Sequence, residues 1–179
     1  MSTKPLTLAL DISTHCGWAL GRDGDERPVL CYGTFDLGRM ANGLGRIASC
    51  LAGSIGDTIT LYSPVQCIIE APLPQQKHDT QQIARLLIGL ALVAEMVCFE
   101  YGVTCTEEFP GNARKLVLGT ANVKKDGIIS WCRSQGWDPP DDNAADALLL
   151  LRYKHLLGRM RIMAGAGSVR ASDYPCPKS

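Results

Sequence analysis

Apolar residues in this chain come in short runs of alternating or continuous character before they come at helical spacing. Leu6 to Leu10 reads as a buried strand ending at Asp11. A tight polar turn, Ser13 to Cys16, leads to a second strand, Gly17 to Leu20, and charged, Gly-containing residues 21–27 make the next turn. Val29 to Phe35 is a third strand, which completes a hairpin-like meander. Residues 43–61 carry Leu44, Ile47, Leu51 and Ile55 at helical spacing, although the glycines weaken that pattern. Val65 to Ile69 is a continuous apolar run closed by Glu70 and Pro72, as expected of a buried parallel strand. Residues 71–82 are Gln-rich and polar, a loop or helix entry, and residues 80–101 form a long helix.

The remainder alternates in the same way. Val103 to Thr106 is a strand, Pro110 opens a short helix through Leu118, and Gly119 to Asn122 is a loop. Lys124 to Gln135 is a helix stopped by Gly136. Pro139 and Pro140 break the chain before a last long helix, Asp141 to Leu157. From Gly158 onward Gly, Ser, Pro and Arg dominate, so residues 158–179 read as a loose tail. The order β-β-β-α-β-α-β-α-α-α predicts an α/β fold, a mixed five-stranded sheet covered by helices, within one domain over residues 1–157.

The helix over residues 80–101 is apolar nearly all round, with only Arg85 and Glu95 charged between Ile83 and Phe99. Its uninterrupted uncharged run, Leu86 to Ala94, is shorter than the roughly 20 residues a membrane span needs. A helix without a polar face needs cover on two sides. The sheet supplies one, and a second copy of the chain is expected to supply the other, with Ile88 and Leu92 pointing outward.

Composition narrows the class. The 179 residues are 46% hydrophobic and 20% charged, which fits a packed core and not a disordered chain. Eighteen basic residues balance eighteen acidic ones. The charge is uneven, however: residues 1–109 have a net charge of −5 and residues 110–179 one of +5, and a basic half can mark a polyanion-binding side. Cysteines stand at 16, 31, 50, 67, 98, 105, 132 and 176 without a CxxC pair or zinc-finger spacing. With Lys4 leading directly into a strand and no signal-peptide pattern, the chain reads as a cytoplasmic protein with free thiols.

Three acidic residues stand where apolar ones belong. Asp11 and Glu70 close apolar strands, and sites in α/β sheets gather at such carboxyl ends. Asp146 shares a helix face with Leu149 and Leu150, where a carboxylate needs a partner or a metal. Asp141 and Asp142 begin that helix, and capping with the helix dipole accounts for acids there. Three gathered carboxylates repel one another, and divalent cations resolve the repulsion. Mg²⁺ takes oxygen ligands and keeps waters and substrate phosphate in its shell. Two such ions roughly 4 Å apart activate a water and stabilise the leaving oxygen of a phosphodiester.

The runs LALDISTHCGWAL (residues 8–20), CIIEAP (residues 67–72) and DDNAADALLLL (residues 141–151) resemble the three motifs of RuvC-type Holliday-junction resolvases, within the RNase H-like nuclease superfamily. Residues 113–148 resemble the phage-encoded branch most. The similarity of order and spacing covers about residues 5–157. It implies that Asp11, Glu70 and Asp146 are catalytic and bind Mg²⁺, two ions with Mn²⁺ as a substitute. It implies a fourth ligand at Asn143, three residues before the helix Asp, where this chain has a neutral side chain; Asp142 is the alternative. It implies DNA contacts by Lys124 and Lys125, with Arg114 and Lys115 adding phosphate contacts, and branched DNA as partner of a homodimer. The resemblance thus implies an Mg-dependent crossover-junction endonuclease, expected in a bacterial or phage-infected cell.

Other residues have plainer readings. His15 is a turn histidine within four residues of Asp11, and His78 and His155 are scattered. Trp18, Trp131 and Trp137 read as packing residues, and Gln75, Gln76 and Lys77 as a polar loop. Two further functions compete with the nuclease. One is a DNA-binding or structural relative with a degraded site, favoured by neutral Asn143. The other is an actin-like or sugar-kinase-like phosphotransferase, favoured by Asp11-Ile12-Ser13-Thr14 before Gly17, for which 179 residues are few.

Overall fold

A computed structural model describes residues 5–22, 29–72 and 81–163, with the side chains of 161–163 excepted. Its strands are β1 (Leu6–Asp11), β2 (His15–Arg22), β3 (Val29–Asp36), β4 (Gln66–Glu70) and β5 (Thr104–Glu108). Its helices are α1 (Leu44–Tyr62), α2 (Gln81–Glu100), α3 (Pro110–Leu118), α4 (Lys125–Ser134) and α5 (Asp142–Met163), with a short 3₁₀ turn at Met40–Asn42. The sheet runs β3-β2-β1-β4-β5. β1, β2 and β3 pair antiparallel as the meander requires, and β4 and β5 add parallel to β1 after crossover helices. The mixed five-stranded sheet expected from the sequence is therefore the one observed.

Alternation along the strands divides the core in two. Leu6, Leu8 and Leu10 of β1, with Cys67 and Ile69 of β4, face α1 and α2. Ala9, Ala19 and Ile68 face the other way, toward α3, α4 and α5. α1 persists through Gly45, Gly53 and Gly56 because Ile47, Leu51, Ile55 and Ile59 form an almost wholly buried stripe. Each such side chain contributes about 1.5–3 kcal/mol, more than a helical glycine costs at about 1 kcal/mol.

α5 is the centre of the second layer. Ala144, Ala145, Ala147 and Leu148 are fully buried, and the alanines let the helix lie close to Ala9 and Ala19. The contact is closest at Gly17 of β2, where an added Cβ would stand 1.9 Å from the Asn143 carbonyl oxygen. Only a glycine admits the helix there. α5 also runs past Leu157 to Met163, six residues beyond the expected end, since Gly158 sits in open space and Arg159 to Met163 can continue the turn. Gln75, Gln76, Lys77, His78 and residues 164–179 lie outside the described residues.

α2 buries Leu86, Leu90, Ala91, Ala94, Val97 and Cys98 against the sheet and α1. Its other face is open: Ile88, Leu92, Met96 and Phe99 are exposed, Phe99 by 85%. Although its uncharged run is short, the whole helix, Arg85 and Glu95 included, is the one among the described residues long and apolar enough to cross a membrane, and a third of its apolar window is buried inside the fold.

Candidate active site

The topology draws together residues far apart in sequence. β1 and β4 are parallel neighbours in register at Leu10 and Ile69, so Asp11 and Glu70 stand side by side one residue further on. Asp11 is also opposite Gly17, and Gly17 carries the first turn of α5. One turn later on that helix comes Asp146, whose side chain is 11% exposed. Three elements thus deliver three half-buried carboxylates to one end of the sheet, the carboxyl end of β1 and β4.

The electrostatics record the crowding. Burial, then the charges of Glu70 and Asp146, drive Asp11 well above the usual carboxylate range. Glu70 is pushed up to about 7 by burial and by Asp146, against the pull of Arg114. Asp146 is raised by burial too, although Arg114 opposes the shift. Two cations face this group. Arg114 of α3 reaches Asp146 Oδ1 with its Nη2 at 3.4 Å. Lys125 of α4 pairs with Asp142 and acts on Asp11 and Asp146 as well.

The residues at the start of α5 have separate tasks. Asp141 caps the helix: its Oδ1 accepts from the Ala144 backbone N–H at 2.8 Å and from Thr34 Oγ1 at 2.7 Å. Asp142 is held below the usual carboxylate range, chiefly by Lys125, and its charge acts on both Asp11 and Asp146. Asn143 presses its backbone against Gly17.

Among the basic residues expected to meet DNA, Lys115, Lys124 and Lys125 are exposed, and Lys124 stands at the N-cap position of α4 without a side-chain capping bond. Arg114 and Lys125 both pair with carboxylates, Arg114 partly buried against Asp146 and Lys125 still exposed while it holds Asp142. His15 lies 3.9 Å from Asp36. Trp18 stacks on Phe35 at 5.4 Å, and Trp131 meets Trp137 edge to face at 5.6 Å, as packing residues do.

Glu108 carries no mark in the sequence. It pairs in register with Glu70 at the end of β5, yet its oxygens are taken by Tyr153 Oη at 2.5 Å, Asn112 Nδ2 at 2.7 Å and the Phe109 N–H at 2.9 Å. It anchors α3 and α5 to the sheet edge. Strand alternation puts Glu108 on the face opposite Cys105 and Glu107, toward Tyr153 of α5. The Asp146–Arg114 contact, across 32 residues, has no local signal either.

Asp11, Glu70 and Asp146 offer hard oxygen donors in excess of the positive charge beside them. That donor set suits Mg²⁺ or Mn²⁺ and not a soft metal.

No family model and no curated relative matches the chain. Solved structures do. RuvC of Thermus thermophilus superposes with a TM-score of 0.70 at 15% identity, covering 87% of this chain and 96% of that one. The T. thermophilus RuvC in complex with a Holliday junction substrate gives 0.75 at the same identity and coverage. The yeast mitochondrial Holliday junction resolvase Ydc2 gives 0.61 at 12% identity, over 91% and 85% of the two chains. The fold is the RuvC form of the RNase H-like architecture.

Proposed function

We propose that this chain is a divalent-metal-dependent endonuclease of the RuvC type, acting as a homodimer that resolves four-way DNA junctions by paired nicks. The observation that carries the reading is the convergence of Asp11, Glu70 and Asp146 from β1, β4 and α5 into one poorly compensated cluster. Such a cluster is costly to an apo fold and useful to one that binds cations. The three motifs that carry them resemble the resolvase motifs, and structures described as RuvC and Ydc2 share the fold.

Asp11, Glu70 and Asp146 would hold the metal, with Asp142 as fourth ligand in preference to Asn143, because its charge reaches both Asp11 and Asp146. Bound divalent ions supply Lewis-acid polarisation of the phosphate and a more acidic water. The chain's own groups do the rest. Arg114 steadies the Asp146 carboxylate in its ionised form. Lys125, at the rim of the cluster, is placed to exchange Asp142 for a scissile phosphate. Exposed Lys115 and Lys124, next in sequence to Arg114 and Lys125, give the DNA backbone non-specific purchase.

The apolar face of α2 supports the dimer. Ile88, Leu92, Met96 and Phe99 form a stripe that soluble monomers rarely leave open. Two copies joined about a two-fold axis match a junction's paired strands.

The test offers purified protein and Mg²⁺ a four-way junction, a flap, a linear duplex and an RNA–DNA hybrid. Paired symmetric nicks in the junction support the reading. Cleavage of the hybrid alone, or tight junction binding with no cleavage under Mg²⁺ or Mn²⁺, contradicts it.

A further inference from the structure

On the far side of the sheet from the carboxylates, three cysteines converge. Cys67 of β4 and Cys105 of β5 are register partners on parallel neighbouring strands, and both point toward α2. Cys98 sits in the last turn of α2 and meets them. The three sulfurs lie within 4.8 Å of one another. Nothing in the spacing 67, 98, 105 announces this; a crossover helix and a parallel strand pair are needed to bring them together.

We propose that Cys67, Cys98 and Cys105 form a thiolate site for a soft or borderline d¹⁰ cation, Zn²⁺ in the ordinary case, which clamps β4, β5 and α2 behind the strand that carries Glu70. The geometry is nearly that of a bound state. Zinc–sulfur bonds of about 2.3 Å in a tetrahedron put sulfurs about 3.8 Å apart, so a contraction of about 1 Å at most closes the site. Its frame is held. Val103 N–H donates to the Cys98 carbonyl at 2.8 Å, Gly102 N–H to the Phe99 carbonyl at 3.1 Å, and Gly102 takes a φ of 69°, so the turn joining α2 to β5 is fixed. The three sulfurs are close enough that Cys105 and Cys67 favour the ionised form of Cys98.

A fourth ligand is at hand. Cys67 and Cys98 are buried, but Cys105 is partly exposed and gives the cluster a mouth. Two carboxylates flank that mouth: Glu95, close to one turn before Cys98 on α2, and Glu107, two residues after Cys105 on its face of β5. Glu95 acts electrostatically on both Cys98 and Glu107. A Cys₃Glu or Cys₃–water tetrahedron follows, and acids at the rim draw cations inward. A disulfide is the weaker use of the cluster, because it joins two sulfurs and strands the third. Binding exchanges the remaining thiol protons for the cation and releases them to solvent, so affinity rises with pH.

The test uses the full chain, reduced and metal-free, titrated with Co²⁺ and then Zn²⁺. One equivalent of Co²⁺ should give a thiolate-to-cobalt charge-transfer band, which Zn²⁺ bleaches, and Zn²⁺ should raise the thermal midpoint. Cys105→Ser, at the partly exposed position, should lose the band and weaken Zn²⁺ binding at least about tenfold, as should Cys98→Ser. Cys132→Ser, on the opposite face, and Asp146→Asn should keep the band. Absence of the band in the reduced parent, or its persistence in both Cys105→Ser and Cys98→Ser, overturns the site. So does a protein that forms a Cys67–Cys105 disulfide in air but takes up no metal when reduced.

Discussion

Gly17 and Asn143 meet backbone to backbone, so closely that a methyl group on residue 17 would stand 1.9 Å from the Asn143 carbonyl oxygen. Gly17 is the β2 partner of Asp11, and Asn143 is one helical turn before Asp146. The contact therefore sets the distance between a strand carboxylate and a helix carboxylate. Gly17→Ala should push α5 off the sheet. Overpacking of this kind costs about 1–3 kcal/mol, and a displacement of about 1 Å can cost about 100-fold in rate. The variant should melt lower and nick junctions far more slowly; wild-type values for both would separate this contact from the site.

Metal-free protein should lose stability as pH rises. Glu70 moves from an ordinary 4.5 to about 7 on folding, and Asp11 and Asp146 are raised too. An acid raised in this way binds protons more tightly in the folded state, so stability is highest below 4.5 for that group, falls as pH rises from there to about 7, and levels off above it. The share from Glu70 is about 3 kcal/mol at most. In EDTA the urea midpoint should drop between about pH 5 and pH 7. Mg²⁺ or Glu70→Gln should flatten the slope. A midpoint that rises over this window in EDTA would contradict the electrostatic account.

Much of this is legible in the sequence. Strand-closing acids at Asp11 and Glu70, and an acid among leucines at Asp146, violate local hydrophobic patterning, and such violations mark sites. The order of elements follows from period alone. What stays hidden is long-range. Arg114 and Lys125 read as free basic residues because their carboxylate partners lie 32 and 17 positions away. Cys67, Cys98 and Cys105 read only as free thiols because the parallel pairing of β4 with β5 is needed to join them. Gly158 reads as the end of α5 because glycine is a common stop, but an exposed turn tolerates it.

Lys115, Lys124 and Lys125 are all exposed, and of the three it is Lys125 that pairs with Asp142 of the carboxylate cluster. The double alanine variant of Lys115 and Lys124 should bind junctions more weakly, with a salt slope shallower by about 0.9 for each phosphate no longer neutralised. Lys125→Ala should depress nicking more than binding. Equal slopes for parent and double variant, measured by fluorescence anisotropy across a salt series, would remove both lysines from the DNA path.

Ile88 and Leu92 are 60% and 65% exposed on α2. Ile88→Glu or Leu92→Glu should convert a dimer to a monomer without unfolding it, since neither side chain is in the core. Sedimentation at micromolar protein reads the change directly. The monomer should nick one strand while losing coordinated second nicks. A parent that sediments as a monomer would leave the stripe to another partner.

The central claim is that Asp11, Glu70 and Asp146 together drive junction cleavage, and Asp146→Asn tests it most directly. The substitution keeps size and shape, and Asp146 is the member that no strand end explains. Cleavage of a labelled four-way junction under saturating Mg²⁺, beside binding of the same junction in Ca²⁺, is the measurement. The account predicts loss of at least about 100-fold in the nicking rate with junction affinity within about threefold of the parent. Near-parental nicking by Asp146→Asn would contradict it.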